Sequence, residues 1–149
     1  MVETIKLTIP SNPKYLCLVR KVVRHLLSDR SVAKEMIPRL ALCIDEACSN
    51  IIKYSYGGCL DQPIELCFSL ADDFFEVKIR DYGKQCDARD IKPRPIHEIK
   101  PGGLGTHFIN EIMDEVKYCT NRDKGTLLTM SKSLKGELAS RPSGNQVTS

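Results

Sequence analysis

The sequence contains no tryptophan, no marked excess of either charge and no long apolar run. Its 22 Lys and Arg residues are scattered among 19 Asp and Glu residues, and a net charge of +3 spread in this way argues against nucleic acid as a partner. No stretch reaches the ~18 apolar residues of a membrane span, and the N-terminus lacks the apolar run of a signal peptide. These absences predict a cytoplasmic protein that binds neither nucleic acid nor membrane.

The seven cysteines form no C-x-x-C pair and show no metal-ligand spacing. Their odd number and scattered placement favour a reducing compartment over a disulfide framework. The chain has no internal repeat and no linker between domains, and 149 residues fit one domain of ordinary size. We therefore predict a single domain over residues 1–134, followed by a polar, disordered tail over residues 135–149.

Hydrophobic periodicity predicts a strand and two helices in the first part of the chain. Strict alternation in TIKLTI places Ile5, Leu7 and Ile9 on one face of a half-buried strand. Apolar residues at helical spacing follow Pro13, which is well placed to open a helix. A second helix is predicted up to Tyr54, and its start is expected near residue 37 because Pro38 is unfavourable inside a helix.

Two hairpins are predicted in the second part of the chain, with one helix between them. The hairpins pair IELCFSL with FFEVKIRD and DEVKYCT with GTLLTMSKSL, while the short helix is LGTHFINEIM, preceded by a charged, mobile loop. Strands gathered into hairpins with helices between them indicate an α+β fold. We expect a two-layer α/β sandwich, in which a mixed, mostly antiparallel sheet packs against about three helices.

A carboxylate and a carboxamide stand out in the long helix, within LCIDEACSNIIKYSY. Glu46 and Asn50 are four residues apart and therefore share one helical face. At ~100° per residue, they lie about 110° from the apolar stripe, on the flank of the helix. A pair of this kind is more often a solvated face, but a polar pair at the rim of a core also marks the place where a pocket can open.

Two glycine-containing segments follow in the chain. In RDYGKQCD a strand ends at Asp81 and the chain turns at Gly83, a pattern that most often marks a simple turn. In GGLGTHFI the glycines Gly102, Gly103 and Gly105 precede a helix, whose free N–H groups could meet an anion. Each segment alone is a weak signal, and a lone G-G-x-G is usually a flexible loop. The order and spacing of the three polar segments together indicate a functional site more strongly than any one segment does.

In this order the segments resemble the GHKL (Bergerat-fold) ATP-binding family, and most closely its bacterial anti-sigma-factor serine kinases. LCIDEACSNIIKYSY is similar to the family's N box, VKIRDYGKQCD to its first glycine box, and GGLGTHFINEIMDEVKY with KGTLLTMSK to its second glycine box and closing strand. The similarity runs from about Ile5 to Leu134. It implies a Bergerat ATP-binding fold for nearly the whole chain.

The resemblance also implies a role for individual residues. Asn50 would bind the Mg²⁺ that bridges the phosphates of ATP, and Glu46 would be the general base that activates a serine hydroxyl or water. Asp81 would accept a hydrogen bond from the adenine amino group, Gly83 would let the backbone approach the base, and Thr126 would reach the adenine region. The phosphates would be bound by the lid residues Gly103, Leu104, Gly105 and Thr106.

The sequence departs from the family at the first glycine box. Gln85 stands where many members have a second glycine, and Cys86 replaces the aromatic residue of the small kinases. These departures leave undetermined which residues form the wall of the adenine pocket. The chain also has no helical hairpin with a phosphoacceptor histidine, since His25, His97 and His107 read as structural, loop and lid residues, which disfavours a sensor histidine kinase.

The resemblance implies an ATP-dependent serine/threonine protein kinase. Its substrate would be an anti-anti-sigma (STAS-type) regulator, and the kinase would also act as an anti-sigma factor by holding a sigma factor. The family further suggests a homodimer. The alternative is an ATP-binding regulatory module that sequesters protein partners without catalytic turnover, and the intact Glu46 favours the kinase. A ligand-free interaction domain would have to treat all three polar segments as coincidence.

Overall fold

A computed structural model of the protein describes residues 2–28, 30, 32–83, 103–120 and 124–135. The strands are β1 (Glu3–Pro10), β2 (Pro63–Ala71), β3 (Phe74–Asp81), β4 (Glu115–Cys119) and β5 (Thr126–Ser133). The helices are α1 (Leu16–Ser28), α2 (Met36–Asn50) and α3 (Gly103–Ile112), with a 3-10 turn at Pro13–Tyr15 and a π-helical turn at Ile51–Ser55. The predicted loop after Gly83 and the predicted tail beyond residue 135 lie outside the described residues.

Within the described residues, five strands form one sheet in the order β1-β2-β3-β5-β4, and the four pairings between them are antiparallel. Both predicted hairpins are present, β2 with β3 and β4 with β5. After α3 the chain enters the sheet at its edge as β4 and returns as β5, which lies directly beside β3. This order places the start of β5 next to the end of β3, with Thr126 opposite Asp81.

One face of the sheet is covered by the helices, and α2 lies in the centre of that layer between α1 and α3. Side chains of β2 and β3 alternate between buried and accessible, as expected for a sheet covered on one face. The apolar stripe of α2 completes the core with Leu40, Cys43, Ile44, Ala47 and Cys48. The predicted two-layer α+β sandwich of one sheet and three helices is confirmed. The sheet was expected to be mixed, but all of its pairings among the described residues are antiparallel.

The first strand differs from its prediction. Of its predicted apolar face, Ile9 is buried and Leu7 partly buried, but Ile5 is 41% exposed. The reason is that β1 lies at the edge of the sheet and, among the described strands, has a neighbour on one side only. Near its start, Glu3 forms an ion pair with Arg30 at 2.6 Å, and Arg30 also donates to the Ala71 carbonyl at 3.1 Å.

The second helix begins as the proline argument predicts. It starts at Met36, so Pro38 lies in the first turn, where its missing N–H leaves no intrahelical bond unmade. Six cysteines lie among the described residues and all six are free. Within the described ranges, no helix combines the length and apolar character needed to cross a membrane.

The central helix offers a matched test of the core. Leu40 is 0% exposed and Leu42, on the same helix, is 42% exposed. Leu40→Ala is expected to lower the free energy of unfolding by about 2–5 kcal/mol, because it removes buried apolar contacts and leaves a cavity. Leu42→Ala is expected to change it by no more than about 0.5 kcal/mol. Urea denaturation measures both values, and equal losses would contradict the placement of α2.

Candidate functional site

Glu46 and Asn50 lie on the flank of α2, and both side chains are half-buried. Asn50 is the last residue of the helix, and its Oδ1 atom is buried without a hydrogen-bond partner among the described residues. A buried carbonyl oxygen that lacks a donor carries a free-energy cost, so such an atom is suited to a ligand. Hard cations such as Mg²⁺ prefer oxygen ligands, so the Oδ1 atom of Asn50 could coordinate one.

Two buried cysteines neighbour Glu46 but are poor nucleophiles. Burial, together with the negative charge of Glu46, raises the pKa of the Cys43 thiol to about 12, while Lys132 opposes this rise. Burial and the charge of Asp45 raise the pKa of the Cys48 thiol to about 12 as well. Both thiols therefore remain protonated at neutral pH, which makes them poor nucleophiles.

Beyond Asn50 the helix changes to a π-helical turn over Ile51–Ser55. The Tyr56 N–H donates to the Ile51 carbonyl at 2.9 Å, five residues back instead of four. Turns of this kind occur mostly as single insertions in α-helices and often at functional sites. Here the turn brings Ser55 and Tyr56 to the end of β3.

Asp81 ends β3 on the face covered by the helices, and it is only 2% exposed. Its Oδ1 accepts a hydrogen bond from the Gly83 N–H at 3.0 Å, and its carboxylate also accepts from the Thr126 N–H and the Ser55 hydroxyl. Burial raises the pKa of Asp81 above its ordinary value, although these donors and the charge of Arg80 oppose the rise. The arrangement holds a buried acceptor in a fixed orientation.

Two glycines are required by close backbone contacts around Asp81. A Cβ on Gly83 would lie 2.2 Å from the Ser55 carbonyl oxygen. A Cβ on Gly125 would lie 1.9 Å from the Asp81 carbonyl oxygen, and Gly125 also has a positive φ of 80°. The π-helical turn, the end of β3 and the start of β5 therefore meet at distances that only glycine permits.

The third predicted segment opens α3. The helix begins at Gly103, one residue before the predicted start at Leu104, so Gly103, Leu104 and Gly105 lie in its first turn. The expectation that Gly103 and Gly105 precede the helix is therefore wrong. The N–H groups of a first turn have no intrahelical partner, so the expected set of free donors is compatible with this earlier start. Thr106 is buried, and its carbonyl accepts from the Asn110 side chain at 3.0 Å. Gly102 lies outside the described residues.

The structure brings Asp81, Gly83 and Thr126 into direct contact, and it places Glu46 and Asn50 together on the flank of α2. Sequence reasoning missed Ser55, Tyr56 and Gly125 as residues of the site. The only signal for Gly125 was its position before Thr126, and Ser55 and Tyr56 had none, because their contacts join segments far apart in the sequence.

This fold and site define a nucleotide-binding domain. The chain belongs to the histidine kinase-like ATPase domain family, which matches residues 9–132. Two similar relatives are both called serine-protein kinase RsbW. The protein of Halalkalibacterium halodurans is 29% identical over 98% of this chain and 93% of the relative, and that of Bacillus velezensis is 30% identical over 91% and 89%.

Solved structures share the fold at low sequence identity. The RsbU and RsbW domains of Rv1364c from Mycobacterium tuberculosis match 89% of this chain with a TM-score of 0.63 and 16% identity. The match spans 32% of that longer chain. The histidine kinase domain of a blue-light activated kinase from Erythrobacter litoralis matches 87% of this chain and 63% of its own, with a TM-score of 0.54 and 16% identity.

The raised pKa of Asp81 predicts how its replacement affects stability. Because the pKa is higher in the folded protein than in the unfolded chain, the ionised carboxylate lowers the free energy of unfolding. This cost is absent at low pH, where the group is protonated. The free energy of unfolding of Asp81→Asn, relative to the unaltered protein, is therefore expected to rise as pH increases from the unfolded pKa through the folded one. Urea denaturation without nucleotide across that range measures this, with exposed Asp72→Asn as control. A difference that stays constant with pH would contradict the prediction.

The contact of Gly125 with Asp81 is testable against a glycine of similar backbone. Gly58 also has a positive φ, of 88°, but a Cβ there would meet nothing within 4 Å. Gly58→Ala is expected to cost about 1–2 kcal/mol of unfolding free energy from backbone strain alone. Gly125→Ala is expected to cost clearly more, because it adds a collision with the Asp81 carbonyl. Equal losses in thermal or urea denaturation would argue against this close approach.

Proposed function

We propose that the protein is an ATP-dependent serine/threonine protein kinase that phosphorylates an anti-anti-sigma (STAS-type) regulator and also acts as an anti-sigma factor. The relatives named serine-protein kinase RsbW support this proposal, because they align over nearly their whole length with this chain. The observation that carries it is local. Glu46 stands one helical turn before Asn50, whose buried oxygen has no partner among the described residues.

The adenine base is assigned to the pocket around Asp81. The carboxylate of Asp81 accepts a hydrogen bond from the adenine amino group, and Gly83 leaves room for the base. Thr126 lies opposite Asp81 on the neighbouring strand β5, next to the base. Burial strengthens this recognition, since a hydrogen bond gains in strength where water is excluded. The phosphates lie toward the first turn of α3, where the backbone N–H groups of Gly103, Leu104, Gly105 and Thr106 donate hydrogen bonds to them.

Mg²⁺ is assigned to Asn50. The fit rests on the buried, unpartnered Oδ1 atom and on the preference of Mg²⁺ for a few protein oxygens combined with water and substrate phosphates. The described residues contain no group of three or more His, Cys, Asp and Glu side chains suited to a metal. When bound, Mg²⁺ would neutralise charge on the transferring phosphoryl group.

Glu46 is the proposed general base. Its carboxylate takes the proton from the attacking serine hydroxyl, whose oxygen forms a bond to the γ-phosphorus as the bond to the bridging oxygen of ADP breaks. The flank position supports this role, because a half-buried carboxylate can reach both the nucleotide and an approaching protein. A regulatory module without turnover would not need Glu46, and its presence favours the kinase.

The partners follow from the same proposal. A STAS-type substrate approaches the exposed side of Glu46, and a sigma factor is the second protein held by this kinase. A cytoplasmic location is part of the same proposal. A homodimer is also proposed. It is supported by β1, an edge strand on which Ile5 is exposed and whose neighbour Val2 is exposed too.

The nucleotide site is tested by titrating the purified protein with ATP by calorimetry, with Mg²⁺ and with chelator. We expect binding that weakens without Mg²⁺. Asn50→Ala is expected to weaken ATP·Mg²⁺ binding at least roughly tenfold, which corresponds to about 1.4 kcal/mol. Asn12→Ala, the same change at the cap of the 3-10 turn, is the control and should bind normally. Binding that ignores both Mg²⁺ and Asn50 would remove the metal from this site.

Catalysis is tested by Glu46→Ala in an assay of phosphate transfer from labelled ATP to a purified STAS-domain regulator. Transfer is expected to fall by roughly 100-fold or more, because a general base contributes about 10²–10⁴ to the rate. Nucleotide affinity should survive. Glu35→Ala, an exposed carboxylate at the other end of the same helix, is the control. Transfer that persists in Glu46→Ala would exclude Glu46 from the mechanism, and no transfer by the unaltered protein would favour the regulatory module.

A further inference from the structure

The Tyr56 hydroxyl connects two strands next to Asp81. Tyr56 is only 7% exposed and follows the π-helical turn directly. Its hydroxyl donates a hydrogen bond to the Pro63 carbonyl at 2.6 Å and accepts one from the Tyr82 N–H at 2.7 Å. Pro63 is the first residue of β2, and Tyr82 follows the last residue of β3.

This hydroxyl stands where a bond between the two strands would otherwise form. The β2–β3 register pairs Glu65 with Arg80, and its continuation by two residues places Pro63 opposite Tyr82. Proline has no N–H, so this pair could share only one backbone bond, from the Tyr82 N–H to the Pro63 carbonyl. Instead, the Tyr56 hydroxyl forms one hydrogen bond with the Tyr82 N–H and one with the Pro63 carbonyl, and the chain leaves the sheet at Tyr82.

The π-helical turn places Tyr56 at this junction. Its extra residue changes the angular position of everything after it by about one residue, ~100° on an α-helix. The same turn presents the Ser55 hydroxyl to the Asp81 carboxylate, and its Ser55 carbonyl contacts Gly83. One local feature of the helix therefore reaches residues 81, 82 and 83 in succession.

We propose that Tyr56 is a positioning residue for base recognition, which acts by fixing the backbone between Asp81 and Gly83. The inference rests on the proposed function, since it takes Asp81 as the acceptor of the adenine amino group. Tyr82 lies between Asp81 and the Gly83 N–H that holds its carboxylate at 3.0 Å. Without the Tyr56 hydroxyl, the Tyr82 N–H is left unpaired, and the turn that orients Asp81 is free to shift.

The test compares two nucleotides that differ at the atom Asp81 is proposed to read. ADP carries the amino group, and inosine diphosphate carries a carbonyl oxygen in its place. The full chain is titrated with both by competition against a fluorescent ADP, as the unaltered protein and as Tyr56→Phe. The preference for ADP over inosine diphosphate is expected to fall roughly tenfold in Tyr56→Phe, which corresponds to about 1.4 kcal/mol. A substitution that only destabilised the fold would weaken the binding of both nucleotides by the same factor.

Tyr118→Phe is the matched control, because it removes the hydroxyl of another tyrosine, partly buried, for which the described residues provide no hydrogen bond. It should keep the full preference for ADP. Should Tyr56→Phe fail to fold, Ser55→Ala removes a donor to Asp81 from the same turn, and the preference is expected to fall about threefold.

The outcomes separate this inference from the proposed function. A preference for ADP that is unchanged in Tyr56→Phe, or in Ser55→Ala where that variant is used, overturns the positioning role while leaving nucleotide binding intact. An unaltered protein that binds neither nucleotide, or binds both equally, overturns the base-recognition role of Asp81 and the inference with it. A loss of preference in Tyr118→Phe as well would also contradict a specific role for Tyr56.

Discussion

A buried carboxylate is the constraint around which this structure is arranged. Removing a charge from water is costly unless donors replace the lost hydration, and Asp81 obtains its donors from three separate elements. Gly83 supplies one from the turn after β3, Thr126 one from β5 and Ser55 one from the π-helical turn. These three elements must therefore stay in register for the carboxylate to remain buried.

The same constraint links the two halves of the proposed site. The helix α2 carries Glu46 and Asn50, and the turn that continues it ends at Ser55 and leads directly into Tyr56. A shift of α2 along its axis would therefore move the proposed catalytic and metal-binding groups together with the groups that orient Asp81. This shared support holds the proposed base-recognition and phosphoryl-transfer residues in one alignment. Polar residues held on a rigid, packed helix are positioned more reliably than residues on loops.

Much of this architecture follows from local pattern. The period of the apolar residues predicted the helices and both hairpins, and the proline rule placed the start of α2 correctly. The pattern failed where neighbours decide the outcome. Alternation in β1 predicted a half-buried face, but a strand at the sheet edge is covered incompletely, so Ile5 is exposed. By contrast, the start of α3 was predicted to within one residue, at Leu104 where the structure has Gly103, which is the usual precision for a helix end.

The sequence by itself determined the class of fold, the pair Glu46 and Asn50 on one helical flank, and the acidic strand end at Asp81, because helical and strand periods are local properties of the chain. Only the tertiary structure decided that β5 returns beside β3 and that a π-helical turn joins this junction. Two of those contacts, the bond from Tyr82 to the Tyr56 hydroxyl and the close approach at Gly125, connect residues 26 and 44 positions apart, counting from 56 to 82 and from 81 to 125. Their geometry depends on the packing of the whole sheet against α2, which no local pattern encodes.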